Sequence, residues 1–346
     1  MKPNSILTSL AVLSLTVAIS GCLEIKIRTS VATDGSSKRT VSVKLDKKEL
    51  PYAAYPIPRD SSWSISWHEI TEGKQTRNEY RAEKNFATPE ALEREYNSLP
   101  DTGVLRVRVQ LQKSFQWFYS YFEYEETYTL HDPFNIIPAS AALTPEEIER
   151  YIYHSDSESG SDSVLNEKVE AWSKRNEMES LYQGFVAAAK QRNDPSIHLE
   201  LVQQNKERFF SIFNVKSEKA AMKMEADITA FLQKTLGESV NSKAVHALKE
   251  DVGRAISDFE AKSERIKNHA YENSIQLPGL LTETNSEKVE GNTVAWKVKD
   301  KQLKVGEFRM RAQSRTTNVW AFVVSGVVGL ALLAFVAVRF VRKTGP

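Results

Sequence analysis

The chain is poor in cysteine. Cys22 is the only one in 346 residues, so no internal disulfide and no CxxC zinc or redox pair can form. Charge of either sign is not in excess: 46 Lys and Arg face 45 Asp and Glu, without the basic stripe of a dedicated nucleic-acid binder. Catalytic motifs are missing as well. Six histidines occur, at His68, His131, His154, His198, His246 and His269, and none has metal-ligand spacing. His68-Glu69 lacks the second histidine with which an HExxH helix holds zinc. No GxGxxG, GxxxxGK[ST] or GxSxG opens a helix. The acidic "SDSESGSDS" (Ser155 to Ser163) lacks the glycine and terminal glutamate placement of an EF-hand calcium loop and reads as a solvated linker. No catalytic residue, metal ligand or cofactor is assigned, and the chain reads as a non-enzymatic protein.

Long apolar runs are present, at both ends. The first follows Met1-Lys2 and extends from Ile6 to Ile19, a signal-peptide length too short to span a bilayer. The small residues Ser20 and Gly21 then precede Cys22, and Ile19-Ser20-Gly21-Cys22 resembles a bacterial lipobox. This predicts a signal peptide over residues 1–21 and a diacylglycerol thioether on Cys22, which leaves no free thiol. The second run, Val319 to Val338, is uncharged and long enough to cross the hydrocarbon as a helix at 1.5 Å per residue. Trp320 stands where an interfacial aromatic belongs, and Arg339, Arg342 and Lys343 follow, which predicts a cytoplasmic tail over residues 339–346. Ala321, Ser325 and Gly329 form a small-residue stripe that would permit close helix–helix approach.

Over the whole chain, 26% charged and 10% aromatic residues describe a folded body between the anchors. "LEIKIRT" alternates with a period of two, Asp34-Gly35 supplies turn chemistry and "TVSVKL" returns as a hairpin partner. "SWSISWHEI" and "RNEYRAEKNF" flank a turn at "TEGKQ", and Thr88-Pro89 opens a short helix. Two β-prone runs follow, "VLRVRVQLQ" and "FQWFYSYFEYEETYTL". From Thr144 to Lys267 the period becomes helical, with stripes such as Leu165/Val169/Trp172, Val202/Phe209/Phe213, Ala221/Met224/Ile228/Phe231/Thr235 and Val245/Leu248/Val252/Ile256/Phe259. Strand patterns return at "YENSIQLPGLL", "NTVAWKVK" and "EFRMRAQS". The expected fold is α+β: an antiparallel sheet domain over residues 22–138 and 269–317, interrupted by a helical insertion over 139–268 and followed by a transmembrane helix over 319–338. Pairing of the first and last strands would bring both anchors to one side.

The second of the two β-prone runs is the most suggestive stretch. Read as one strand, it places Phe115, Trp117, Tyr119 and Tyr121 on one face and Phe118, Phe122, Tyr124 and Tyr128 on the other. One account makes it a central strand between two apolar layers. The other makes Phe115, Trp117, Phe118, Tyr119, Tyr121 and Phe122 the lining of a cavity for an amphipathic ligand.

Two segments together resemble the LppM-like family of membrane-anchored bacterial lipoproteins. They are "CLEIKIRTSVATDGSSKRTVSVKL" behind the lipobox and "PGLLTETNSEKVEGNTVAWKVK" before the terminal helix. In that family a Cys-then-strand start, a Pro-Gly followed by an Asn, and a "GNTVxW" strand recur in this order. The resemblance covers about a third of the chain. It implies an α+β ligand-cradling domain outside the membrane, with envelope glycolipid or lipid as the ligand class. The segment from Thr144 to Lys267 departs from the pattern.

Two functions are therefore expected. One is a module in the bacterial cytoplasmic membrane, its body in the periplasm or outside the cell, that binds a lipid or another envelope amphiphile. The other is a scaffold that docks a protein partner through the helical insertion.

Overall fold

A computed structural model describes residues 24–50, 57–72, 75–98, 105–131, 135–154, 162–192, 199–207, 270–286 and 288–344, with single positions at 210, 230, 234, 250 and 254. The signal segment, Cys22, and the stripes over 221–235 and 245–259 lie outside the described residues.

The class is α+β, as the alternation of periods predicts. Before the helical segment come β1 (Glu24–Val31), β2 (Ser37–Leu45), β3 (Ser64–Glu72), β4 (Gln75–Phe86), helix α1 (Pro89–Ser98), β5 (Leu105–Gln116) and β6 (Tyr119–Leu130). Helices α2 (Pro145–His154), α3 (Ser163–Arg192) and α4 (Leu199–Gln204) follow. The chain then forms β7 (Ala270–Gln276), β8 (Leu280–Thr284), β9 (Lys288–Glu290), β10 (Thr293–Lys299), α5 (Asp300–Val305), β11 (Phe308–Thr317) and the apolar helix α6 (Val319–Thr344).

Among the described residues the expected sheet domain is built from two mainly antiparallel sheets. One has seven strands in the order β3-β4-β2-β1-β7-β10-β9, and the other has four in the order β5-β6-β11-β8. The larger contains a parallel pair, β1 with β7, because β7 arrives through the long helical connection rather than a tight turn. Pro278-Gly279 turns the chain out of the larger sheet, where β7 ends, into the smaller one, where β8 begins. Strands from both sides of the helical segment thus complete both sheets.

Period-two alternation builds a common core between the sheets. Ile25, Ile27, Val41 and Val43 face it from the larger sheet, and Val107, Val109, Met310 and Ala312 from the smaller, all at most 3% exposed. Asn97 ties α1 to β5 by accepting from the Val107 N–H and donating to its carbonyl. Ile152 of α2 also belongs to this core, so sheet-domain packing reaches past residue 139. Leu165, Val169 and Trp172 of α3 are buried in a separate cluster, as their helical spacing predicts.

The first and last strands do not pair, and their directions separate Glu24 from the start of α6. Lys113 Nζ near the end of β5 donates to the Thr33 carbonyl in the turn after β1 (2.8 Å). Asn273, in register with Ile27, donates to the Tyr128 hydroxyl near the far end of β6 (2.8 Å). β1 therefore runs toward the β5–β6 turn. β11 runs the same way, with Phe308 opposite Tyr128 and Thr317 opposite Tyr119, and delivers the chain directly into α6. Glu24 consequently lies at the end of the body remote from α6, where α2 packs against α5 through a Gln302 Nε2 bond to the Ile152 carbonyl.

Candidate functional site

The aromatic run is two strands, not one. Gln116 pairs with Tyr119, which leaves Trp117 and Phe118 as the two-residue tip of the β5–β6 hairpin. Beyond that tip the face reading holds: Phe122, Tyr124 and Tyr128 are buried, and Tyr119 and Tyr121 are half-buried. Phe115, Trp117 and Phe118 are 59%, 48% and 38% exposed. The structure places these three on an open hairpin tip rather than on the wall of a closed cavity, and puts Phe122 on the buried face behind them.

The tip lies along the start of α6. The Phe115 ring stacks parallel to Trp320 with centroids 6.1 Å apart, and Trp117 meets Trp320 edge-on at 5.3 Å. Phe118 packs on Phe322 at 4.5 Å, and Tyr119 meets the same ring edge-on at 6.2 Å. Trp117 Nε1 donates to Ser325 Oγ (2.8 Å).

Asn318, the single residue between β11 and α6, binds the tip from the other side. Its side-chain amide donates to the carbonyls of Gln116 (3.0 Å) and Trp117 (3.3 Å), and its backbone N–H to that of Phe118 (2.9 Å). Its Oδ1 accepts from Ser120 Oγ (3.0 Å). Helix and hairpin are thus one unit. Arg315 lies over the Tyr119 ring at 4.7 Å and Lys113 over Phe122 at 5.3 Å.

The small-residue stripe of α6 meets this hairpin. Ala321 is fully buried and Ser325 is bonded to Trp117. Val319–Phe340 is long and apolar enough to cross a membrane, and its large side chains are otherwise exposed.

A second polar feature is sealed between the sheets. Arg39 and Glu126 are fully buried and form an ion pair through Nη2 and Oε2. Thr29 Oγ1 accepts from Arg39 Nε (2.9 Å), the Tyr124 hydroxyl donates to Glu126 Oε2 (2.8 Å), and the guanidinium lies 5.1 Å from the Tyr96 ring. Burial, followed by the nearby Glu126 charge, pushes the Tyr124 and Tyr128 hydroxyls well above the usual tyrosine range, so both stay neutral. The signal for this cluster was present in the sequence. Thr29, Arg39, Glu126 and Asn273 each stand in phase with the apolar positions of their own strand.

A groove of about 700 Å³ opens between α2 and the β8–β11 edge, lined by Ile148, Ile152, Tyr153, Asn285, Glu307 and Arg309 among others. Its arginines are held by carboxylates, Arg309 by Glu307 (2.9 Å) and Arg311 by Glu125 (2.8 Å). Among the described residues no group of three or more His, Cys, Asp or Glu is placed to hold a metal.

No family model matches the chain, and no curated protein matches it. Among solved structures it is similar to the NMR structure of the folded domain of LppM from Mycobacterium tuberculosis. That match has 10% identity, covers 88% of this chain and 95% of that chain, and has a TM-score of 0.29. A likeness at that level establishes neither a family nor a function.

Proposed function

We propose that the chain is a membrane-tethered envelope lipoprotein that binds a lipid or another envelope amphiphile and catalyses no reaction. In this reading α6 spans the cytoplasmic membrane, the body stands outside and the basic tail lies inside. The observation that supports it is the aromatic hairpin tip held against the first turns of the apolar helix. Trp and Tyr are enriched where a membrane meets water, because an apolar ring and a polar edge are both satisfied there. A lipid that is already membrane-resident meets the tip at high effective concentration, so weak contacts suffice. Each buried methylene adds about 0.8 kcal/mol.

Lipid mass spectrometry on the full chain in nanodiscs tests the reading. One lipid class should be enriched over empty nanodiscs, and the Trp117→Ala/Phe118→Ala double variant should lose that enrichment while remaining folded and inserted. A lipid profile equal to that of empty nanodiscs would rule out amphiphile binding, and partner docking through the helical segment would take its place.

A further inference from the structure

We infer that the β5–β6 hairpin tip is itself a membrane-penetrating element, seated in the outer leaflet along α6. The partner it fits is the lipid bilayer. The inference rests on α6 spanning the membrane, as proposed above, and does not need a lipid to be held as a ligand.

Three observations converge on this depth. The first is the Trp117–Ser325 hydrogen bond, which fixes the tip beside a residue well inside the apolar span. Val319 to Ser325 is six helical steps, or about 9 Å of descent. If α6 enters the bilayer near Val319, Trp117 enters with it.

The second is the charge pattern. Residues 115–122 carry no charge, and neither do residues 316–338. Glu123 closes the hairpin zone on β6, one residue further from the tip, whereas on β5 and β11 the charged residues nearest the tip are both basic, Lys113 and Arg315. They stand at one level, opposite the neighbouring residues Phe122 and Tyr121 of β6. Two cations at one height above an uncharged tip match the anionic phosphates of a leaflet surface.

The third is the way the turn's polar groups are satisfied. Backbone groups carried into hydrocarbon must bond within the protein, since no water is there to take them. The carbonyls of Gln116, Trp117 and Phe118 are all taken by Asn318, and the Trp117 indole N–H is taken by Ser325. An exposed turn in water has no need of such a clasp. The small side chains of Ala321 and Ser325 let the hairpin approach the helix, while Gly329 further along the stripe meets nothing among the described residues.

The test uses the full chain, with Cys22→Ser so that the introduced cysteine is the one site open to labelling whether or not Cys22 is lipidated, in vesicles of phosphatidylcholine and phosphatidylglycerol. Single cysteines at Phe118→Cys, Leu332→Cys and Lys301→Cys carry a nitroxide, and its collision with oxygen and with an aqueous nickel chelate is measured. The label at 118 should match the oxygen accessibility of the label at 332 and lose the chelate access seen at 301. Adding Ser325→Leu, which fills the seat of Trp117, should return chelate access at 118 and leave 332 unchanged. If 332 is shielded but 118 is as open as 301, the tip lies in water and the inference fails while the spanning helix stands. If 332 is itself open to the chelate, the spanning helix fails and the inference fails with it. Efficient disulfide cross-linking of Ser325→Cys between copies would assign the stripe to a second chain and overturn the inference.

Discussion

At the scale of single residues, the ion pair between the sheets is the most consequential feature. Arg39 and Glu126 lose all contact with water, and each is tolerated only because the other is there. Glu126→Ala should therefore cost about 3–5 kcal/mol, by leaving a buried guanidinium unpaired, as read from urea unfolding of the solubilised chain. Replacing both at once, Arg39→Met with Glu126→Leu, should recover most of that loss. A single variant as stable as the double would show that the pair is not energetically linked. A second pair acts at the surface. Lys38 and Arg81 bond the Glu83 carboxylate and pull its pKa from 4.5 to about 2. A depressed carboxylate pKa stabilises the fold above the unfolded value and loses that effect on acidification. Stability should thus fall between pH 4.5 and about 2, and Glu83→Gln should flatten this part of the curve in pH-dependent melts.

At the scale of elements, the legible parts of the sequence were those where local chemistry and tertiary pairing agree. The hairpins at Asp34-Gly35 and "TEGKQ", the Thr88 cap and the β10 turn at Gly291 all carry their own turn or cap residues. The β5–β6 hairpin does not. Its tip is Trp117-Phe118, without glycine, asparagine or proline, so nothing local interrupts the β pattern. The turn is set by register with β11 and by Asn318, both about two hundred residues away in sequence, which local periodicity cannot see. The six aromatic positions read as one strand are for this reason divided between two, since the chain reverses at Trp117-Phe118. The opposite case is Gly279, whose role is visible in both. It adopts φ +80°, and a Cβ there would lie 2.2 Å from the Arg315 carbonyl oxygen. Gly279→Ala should cost about 2–4 kcal/mol through a left-handed backbone and overpacking, and thermal unfolding measures it.

At the scale of the whole molecule, parallel pairing of β1 with β7 means that the chain leaves the sheet body, forms the helical segment and returns. The expected insertion began at residue 139, but Ile152 belongs to the sheet core, because the amphipathic α2 turns its apolar side to that core. Replacing residues 155–269 with a short Gly/Ser linker, while keeping α2, should leave a body that melts cooperatively with strand-type circular dichroism, since loop length enters closure entropy only logarithmically. The same replacement begun at residue 139 should melt less cooperatively or at lower temperature. Equal melts for the two would show that α2 contributes nothing to the body.

The common direction of β1 and β11 also has a mechanical meaning. Tension applied between Glu24 and α6 pulls β1 from one end of the body and β11 from the other, along their own axes. Inter-strand hydrogen bonds lie across that axis, so the load falls on all of them together in shear, rather than on one pair at a time as in an unzipping hairpin. β1 is clamped on both sides, by β2 and β7, and β11 by β6 and β8. The body is therefore expected to resist tension along the line joining Glu24 to α6 and to yield in one step at high force in single-molecule pulling.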